Sequence, residues 1–205
     1  MNTPSADELN VSRETFQRLE VYVALLEKWT PKINLISKAT IPDIWSRHIR
    51  DSVQVFRYGP QHFTHWLDLG SGGGMPGLIV AILSAEKPNE SQVSLVESDG
   101  RKAAFLRTVL RETGVPGQVL CERIENLAPQ QADVISARAL ADLSTLLGYT
   151  QRHLQPDGVA LFSKGLRWEN EVEIARREWS FTLEALKSET EKGSVILRIG
   201  DIARV

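Results

Sequence analysis

Residues 67–77 read LDLGSGGGMPG. Leucines flank an aspartate, and five glycines then fall within residues 70–77. Glycine loses more conformational freedom on ordering than any other residue, so such a run suits neither a helix nor a strand interior. It predicts a loop whose backbone a ligand approaches closely. Around it the chain alternates. HWLDLG (65–70), QVSLVES (92–98), GQVLCE (117–122), ADVISARA (132–139) and GVALFSK (158–164) read as short buried strands. GLIVAILSA (77–85), RKAAFLRTVLRET (101–113) and LADLSTLLGYTQRHL (140–154) read as the helices between them. Strand–helix alternation predicts a mostly parallel sheet with helices on both faces. After a helix near 168–179, FTLEALKSE (181–189) and SVILRIG (194–200), joined by TEKG, read as a C-terminal antiparallel hairpin.

The sequence before residue 65 has a different period. Phe16, Leu19, Val23 and Leu26 recur at helical spacing, with Ser12 as N-cap and Pro31 expected to end or kink the helix. KINLIS (32–37) reads as a turn, and 42–57 as a second helix starting at Pro42. The expected organisation is a helical extension over 1–62 and an α/β domain over 63–205, forming one compact unit.

The 205 residues are 42% hydrophobic and 24% charged, enough apolar material for a full core without staples. Cys121 is the only cysteine, which excludes an internal disulfide and a cysteine-based zinc site; it is read as a small buried residue, not a nucleophile. No metal site is expected. The polar start MNTPSADELNVSRE is unlike a secretory signal, and no apolar run approaches membrane-spanning length, so a cytoplasmic setting is expected. A net charge of −2 is not the footprint of a duplex-DNA binder. Local basic stretches remain: residues 28–57 carry six Lys/Arg against Asp43 and Asp51, and 101–111 carry Arg101, Lys102, Arg107 and Arg111 with no acid. Both also suit solvated helix faces.

Three ligands compete for the glycine loop. A nucleoside triphosphate loop needs Lys-Ser/Thr after its last glycine, and Leu78-Ile79 follow Gly77 instead. A dinucleotide fingerprint fits formally from Gly72 to Gly77, but Asp68 would then face a pyrophosphate. S-adenosylmethionine carries no phosphate, and its cationic methionine end tolerates an acid. Asp68 with Gly70 and Gly72, then Glu97 after the second strand for the ribose hydroxyls, then Ile124 and Glu125 for the adenine, fall in the order this cofactor requires. An antiparallel hairpin after five α/β strands also fits a class I S-adenosylmethionine-dependent methyltransferase fold, Rossmann-like, here preceded by the helical section.

The acceptor atom is narrowed by absences. The chain has no Pro-Pro dipeptide, so the Asn/Asp-Pro-Pro-aromatic device for exocyclic amines is missing after the fourth strand, where ISARAL stands. A lone-pair acceptor such as a purine ring nitrogen needs no general base, only proximity and orientation. No catalytic acid or base is therefore expected. Arg138, at the carboxyl end of a central strand, is the candidate for an electrostatic role, because an unpaired arginine there is costly.

LDLGSGGGMPG, ISARAL and the leading KINLIS…RHIRDS together resemble the glucose-inhibited division protein B family, the small-subunit ribosomal RNA methyltransferases G, from about residue 16 to 200. The resemblance implies a bacterial, cytoplasmic enzyme methylating guanine N7 in 16S ribosomal RNA. It implies cofactor contacts at Gly70, Met75, Ile124, Glu125 and Arg138, with Glu97 at the ribose. Asn34, His48, Asp51 and Ser52 match the helical-section motif and Lys164-Gly165 a post-strand Lys-Gly; Asn34, His48, Ser52 and Lys164 are the substrate candidates. The C-terminus is short for that family, so contacts from a longer tail are not expected. The expected partner is 16S ribosomal RNA or the small subunit, met by a monomer, without DNA or membrane. A small-molecule methyltransferase and a non-catalytic RNA-binding factor are the rival readings. Guanine N7 is unreadable in the narrow major groove of A-form RNA, so the target base should be unpaired or splayed out.

Overall fold

The computed structural model describes residues 3–86 and 91–205, so Met1 and Asn2 of the polar start lie outside the described residues. Strands β1 (His65–Leu69), β2 (Gln92–Val96), β3 (Gln118–Leu120), β4 (Ala132–Arg138), β5 (Leu154–Lys164), β6 (Trp179–Lys187) and β7 (Val195–Arg204) form one sheet in the order β3-β2-β1-β4-β5-β7-β6. The first five pair in parallel, and β7 runs antiparallel to both β5 and β6. The parallel sheet is the one the alternation predicted, and with its antiparallel C-terminal pair it has the expected Rossmann-like architecture. The hairpin connection spans residues 188–194, longer than TEKG alone.

Strand periodicity divides the core. In β1, Trp66 is buried on one face, and Leu67 and Leu69 on the other. The Trp66 face is covered by α2 (Arg13–Ile33), α3 (Arg50–Tyr58), α4 (Gly77–Ser84) and α5 (Gly100–Thr113), through Leu19, Leu26, Val53, Ile79 and Phe105. The opposite face is covered by α6 (Leu143–His153) and α7 (Trp168–Ala175), through Leu143, Leu147 and Val172. The remaining helix, α1 (Ala6–Leu9), is one turn capped by Ser5. The helical section thus shares a continuous hydrophobic core with the sheet.

Three expectations need correction. Pro31 does not end α2; the helix runs to Ile33. Proline removes one N–H and can crowd the preceding turn, but this one lies in the last turn. There Thr30 Oγ1 still donates to the Leu26 carbonyl at 2.7 Å, and Asn34 N to the Thr30 carbonyl at 3.0 Å. Asn34 then stops the helix in the left-handed region, at φ 51°. The stretch 42–57 is not one α-helix either. A 3₁₀ segment (Lys38–Asp43) leads into a π-helical turn (Ile44–Ile49) and only then into α3. The wider π turn lets Ile44, Trp45, His48 and Ile49 all be buried, and such turns are frequent at functional sites. Finally, Cys121 is exposed, because it follows the last residue of the edge strand β3.

Two glycines separate sterics from flexibility. A Cβ on Gly77 would lie 2.3 Å from Leu95 Cδ2 and 2.6 Å from Asp68 Oδ2, whereas one on Gly100 meets nothing within 4 Å. Gly77→Ala is expected to cost roughly 1–3 kcal/mol or more by overpacking. Gly100→Ala should be neutral or stabilise by up to about 1 kcal/mol. Urea denaturation midpoints of the two variants check this contrast.

Candidate active site

The carboxyl ends of β1, β2, β4 and β5 open into a cleft of about 860 Å³, a size that suits a small-molecule cofactor. The loop after β1 forms one wall. Gly70, Gly72 and Gly74 take φ of +63°, +52° and +91°, a left-handed region that glycine enters without steric cost. A Cβ at Gly72 would meet nothing nearer than the Gly70 carbonyl oxygen at 3.7 Å, so the loop backbone there is open to a ligand.

Glu97, immediately after β2, faces this wall. Its Oε2 accepts from Gly72 N and its Oε1 from Asp99 N, both at 2.8 Å. Each carboxylate oxygen accepts more than one hydrogen bond, so acceptor capacity remains for vicinal hydroxyls. Ile124 and Glu125 lie in a 3₁₀ turn (Ile124–Asn126) that lines the next wall. Tyr149 of α6 donates to Glu125 Oε1 at 2.6 Å, and this bond holds the carboxyl below its ordinary range. The fit to S-adenosylmethionine is good: open glycine backbone, a strand-end carboxylate with spare acceptors, and a slot floored by Ile124.

Arg138, the last residue of β4, is the hub of the cleft floor. Its guanidinium donates to Asp51 Oδ2 at 3.2 Å and to His48 Nδ1 at 2.6 Å, and lies 3.8 Å from the Met75 sulfur. Since Nδ1 accepts, the His48 proton sits on Nε2, which donates to Thr40 Oγ1 at 2.9 Å. Burial, then the charges of Arg138 and Arg47, push the imidazole down to about 4. Burial raises the Asp51 carboxyl, opposed by Arg138. Thr190, from the β6–β7 connection, touches Asp51 Oδ1 at 3.5 Å. Four separate chain segments therefore meet at Arg138 and Asp51.

Lys164, at the end of β5, also lines the cleft. Its ammonium is held by Glu171 Oε2 at 2.7 Å and the Ala141 carbonyl at 2.8 Å. Gly165 lies beside it on the cleft wall.

The structure thus brings Gly70, Gly72, Met75, Glu97, Ile124, Glu125, Arg138, His48, Asp51 and Lys164 to one cleft. Three of the expected residues are placed elsewhere. Asp68 is 1% exposed and lies beneath the loop. Its Oδ1 accepts from Ser136 Oγ at 2.6 Å, and Oδ2 faces Gly77 at the start of α4. Burial pushes this carboxyl up to about 6, against the hydrogen bond from Ser136. Ser52 is fully buried, and its hydroxyl donates to the His48 carbonyl at 2.8 Å. Asn34 is exposed but serves as the C-cap of α2. The sequence reading missed Thr40, Tyr149, Glu171 and Thr190. Each reaches the site through a tertiary contact that leaves no periodic or spacing signal.

A lowered histidine pKa means that the folded chain resists the proton. The neutral ring contributes stability that is present above about 6.5 and lost as pH falls toward about 4. Nitrogen-15 shifts of the His48 ring are expected to keep the Nε2–H tautomer through pH 5. A midpoint near the ordinary histidine value would contradict the Arg138 contact.

The chain is similar to known proteins over most of its length. The profile of the GidB family, described as rRNA small subunit methyltransferase G, matches residues 15–195. The ribosomal RNA small subunit methyltransferase G of Ruegeria pomeroyi is 53% identical over 205 residues, covering 100% of both chains. That of Ruegeria sp. TM1040 is 53% identical over 198 residues, covering 97% of this chain and 96% of its own. Among solved structures, a SAM-dependent methyltransferase from Aquifex aeolicus superposes with a TM-score of 0.60 at 12% identity, covering 82% of this chain and 95% of that one, which supports the fold. By its sequence over nearly its whole length, the chain belongs to the rRNA small subunit methyltransferase G family.

Proposed function

We propose that this protein methylates N7 of a guanine in 16S ribosomal RNA, with S-adenosylmethionine as methyl donor. The observation that carries this reading is the engaged state of the cleft floor. Arg138 occupies both His48 Nδ1 and Asp51, Glu171 holds Lys164, and two backbone amides hold Glu97. No side chain among these is poised as a free general base. A ring nitrogen with its own lone pair needs none.

The cofactor, when bound, supplies an electrophilic methyl group on a sulfonium. The chain's part is placement. Gly70 and Gly72 offer backbone at close range, Glu97 accepts from ribose hydroxyls, and Ile124 with Glu125 borders the adenine. We assign the rest of the cleft, lined by His48, Asp51, Lys164 and Gly165, to a second half for substrate, with Arg138 in contact with His48, Asp51 and Met75 there. The second half receives the splayed-out guanine, and Arg138 supplies positive charge there. Asn34 and Ser52 support the wall from behind, as a helix cap and a buried tether.

Of the basic stretches at 28–57 and 101–111, which we assign to RNA phosphate, Arg47 and Lys102 line the cleft. A net charge of −2 supports modest affinity for naked RNA, with a ribosomal particle as the better substrate. The reading includes a monomer acting on RNA, not DNA, in the bacterial cytoplasm. Among the described residues no helix is long and apolar enough to cross a membrane.

The test uses labelled S-adenosylmethionine and small subunits from a strain lacking this protein, followed by digestion and nucleoside mass analysis. Label in 7-methylguanosine is expected. Label in another nucleoside would overturn the acceptor, and cofactor binding without label in RNA would favour a small-molecule substrate. Replacing Lys32, Lys38, Arg47 and Arg50 together by Ala should collapse subunit methylation and flatten the salt dependence of RNA binding by a log–log slope of roughly 3. Unchanged methylation by that variant would contradict the RNA assignment.

A further inference from the structure

We infer that Tyr22, in the helical section and outside the cleft lining, is a positioning residue for the cofactor loop. The inference rests on the S-adenosylmethionine reading above. Residues 72–74 are all glycine, so this stretch of the loop has no side chains of its own to hold it. Among the described residues, two side chains from outside it hydrogen-bond its backbone. Glu97 accepts from Gly72 N at 2.8 Å, and the Tyr22 hydroxyl donates to the Gly73 carbonyl at 2.6 Å. Glu97 is itself a cleft residue. Tyr22 does not line the cleft and lies 51 residues earlier in the chain.

Tyr22 is fully buried on α2, with its ring tilted against Phe105 of α5 at 6.4 Å between centroids. Burial raises the phenol well above its ordinary value, which keeps it protonated as a donor. Its acceptor sits at a crowded point of the cleft wall. A Cβ on Gly73 would lie 3.1 Å from Met75 Cε and 3.2 Å from the Leu35 carbonyl oxygen, and Gly73, Leu35 and Met75 all line the cleft. A change in the Gly73 peptide is therefore passed directly to the wall. Without the hydroxyl that carbonyl is left unpaired in a dry site, which favours a rotated or loosened loop. The helical section would then be part of the cofactor site as well as a platform for RNA.

The test is Tyr22→Phe, which removes one oxygen and keeps the ring, set beside Phe105→Leu, which loosens the same packing without touching the loop bond. S-adenosylmethionine affinity is measured by calorimetry, loop order by amide hydrogen exchange, and stability by thermal melting. Tyr22→Phe is expected to weaken binding roughly tenfold and to speed exchange at Ser71, Gly72 and Gly74, with kcat at saturating cofactor changed less than about twofold. Phe105→Leu should lower the melting temperature while leaving affinity and loop exchange near wild type. Unchanged affinity in Tyr22→Phe, or an equal loss in Phe105→Leu, would overturn the inference alone. Wild-type protein that binds no S-adenosylmethionine would overturn the cofactor reading and this inference together.

Discussion

Asp68 is a carboxylate with almost no access to water, and the cofactor loop folds around it. Desolvating a charge is expensive unless hydrogen bonds or dipoles answer it. Here Ser136 answers one oxygen, and Trp66 Nε1 donates to Ser136 in turn at 2.9 Å, which ties the centre of β1 to β4. The other oxygen lies against the start of α4, the positive end of a helix. That approach is close only because residue 77 has no Cβ. The chain leaving β1 must then turn over the carboxylate and re-enter as α4 within a few residues, which the left-handed glycines at 70, 72 and 74 permit. The acid read as a cofactor contact is thus better understood as the framework that shapes the cradle.

A second constraint is built on this one. Arg138 ends the strand that carries Ser136, so the register that satisfies Asp68 also delivers a guanidinium to the cleft floor. Its ion pair with Asp51 is mostly shielded from solvent, with side-chain exposures of 20% and 12%. Breaking such a pair from one side typically costs about 3–5 kcal/mol, because the remaining charge is stranded. The contact therefore fastens the helical section to the sheet at the site itself. Tyr22 fastens it again at the loop, and a shared hydrophobic core fastens it elsewhere. Lys164 belongs to the same pattern, its charge answered by Glu171 before any substrate arrives.

Much of this was legible in the sequence for identifiable reasons. Strand–helix alternation gave the parallel sheet, since buried strands read as short apolar runs. Glu97 and Ile124–Glu125 fall on the cleft because each follows a strand end, and the carboxyl ends of parallel strands converge on the ligand crevice. His48, Asp51 and Lys164 came from the family resemblance, and the cleft receives all three. Elsewhere local rules were outweighed by tertiary packing. Pro31 is tolerated because it falls in a last turn whose remaining bonds are intact. The π turn before α3 reflects the need to bury Ile44, Trp45 and Ile49 while aiming His48 inward, a demand no propensity encodes. Asp68, Ser52 and Asn34 were assigned to ligands from motif position, although each satisfies a local need of the backbone or core. Cys121 was expected inside because cysteine usually is, but a three-residue edge strand offers it no cover. Tyr22 carries no motif or spacing signal in the sequence, and only the fold reveals where its hydroxyl goes.

The glycine loop between β1 and α4 is the proposed cradle for S-adenosylmethionine. The most direct measurement is a titration of S-adenosylmethionine into protein labelled with nitrogen-15 glycine. The amide resonances of Gly70, Gly72 and Gly73 are expected to move on binding while those of Gly114, Gly158 and Gly200, none of which lines the cleft, stay in place. Binding that moved the latter three and left the loop unchanged would contradict this account.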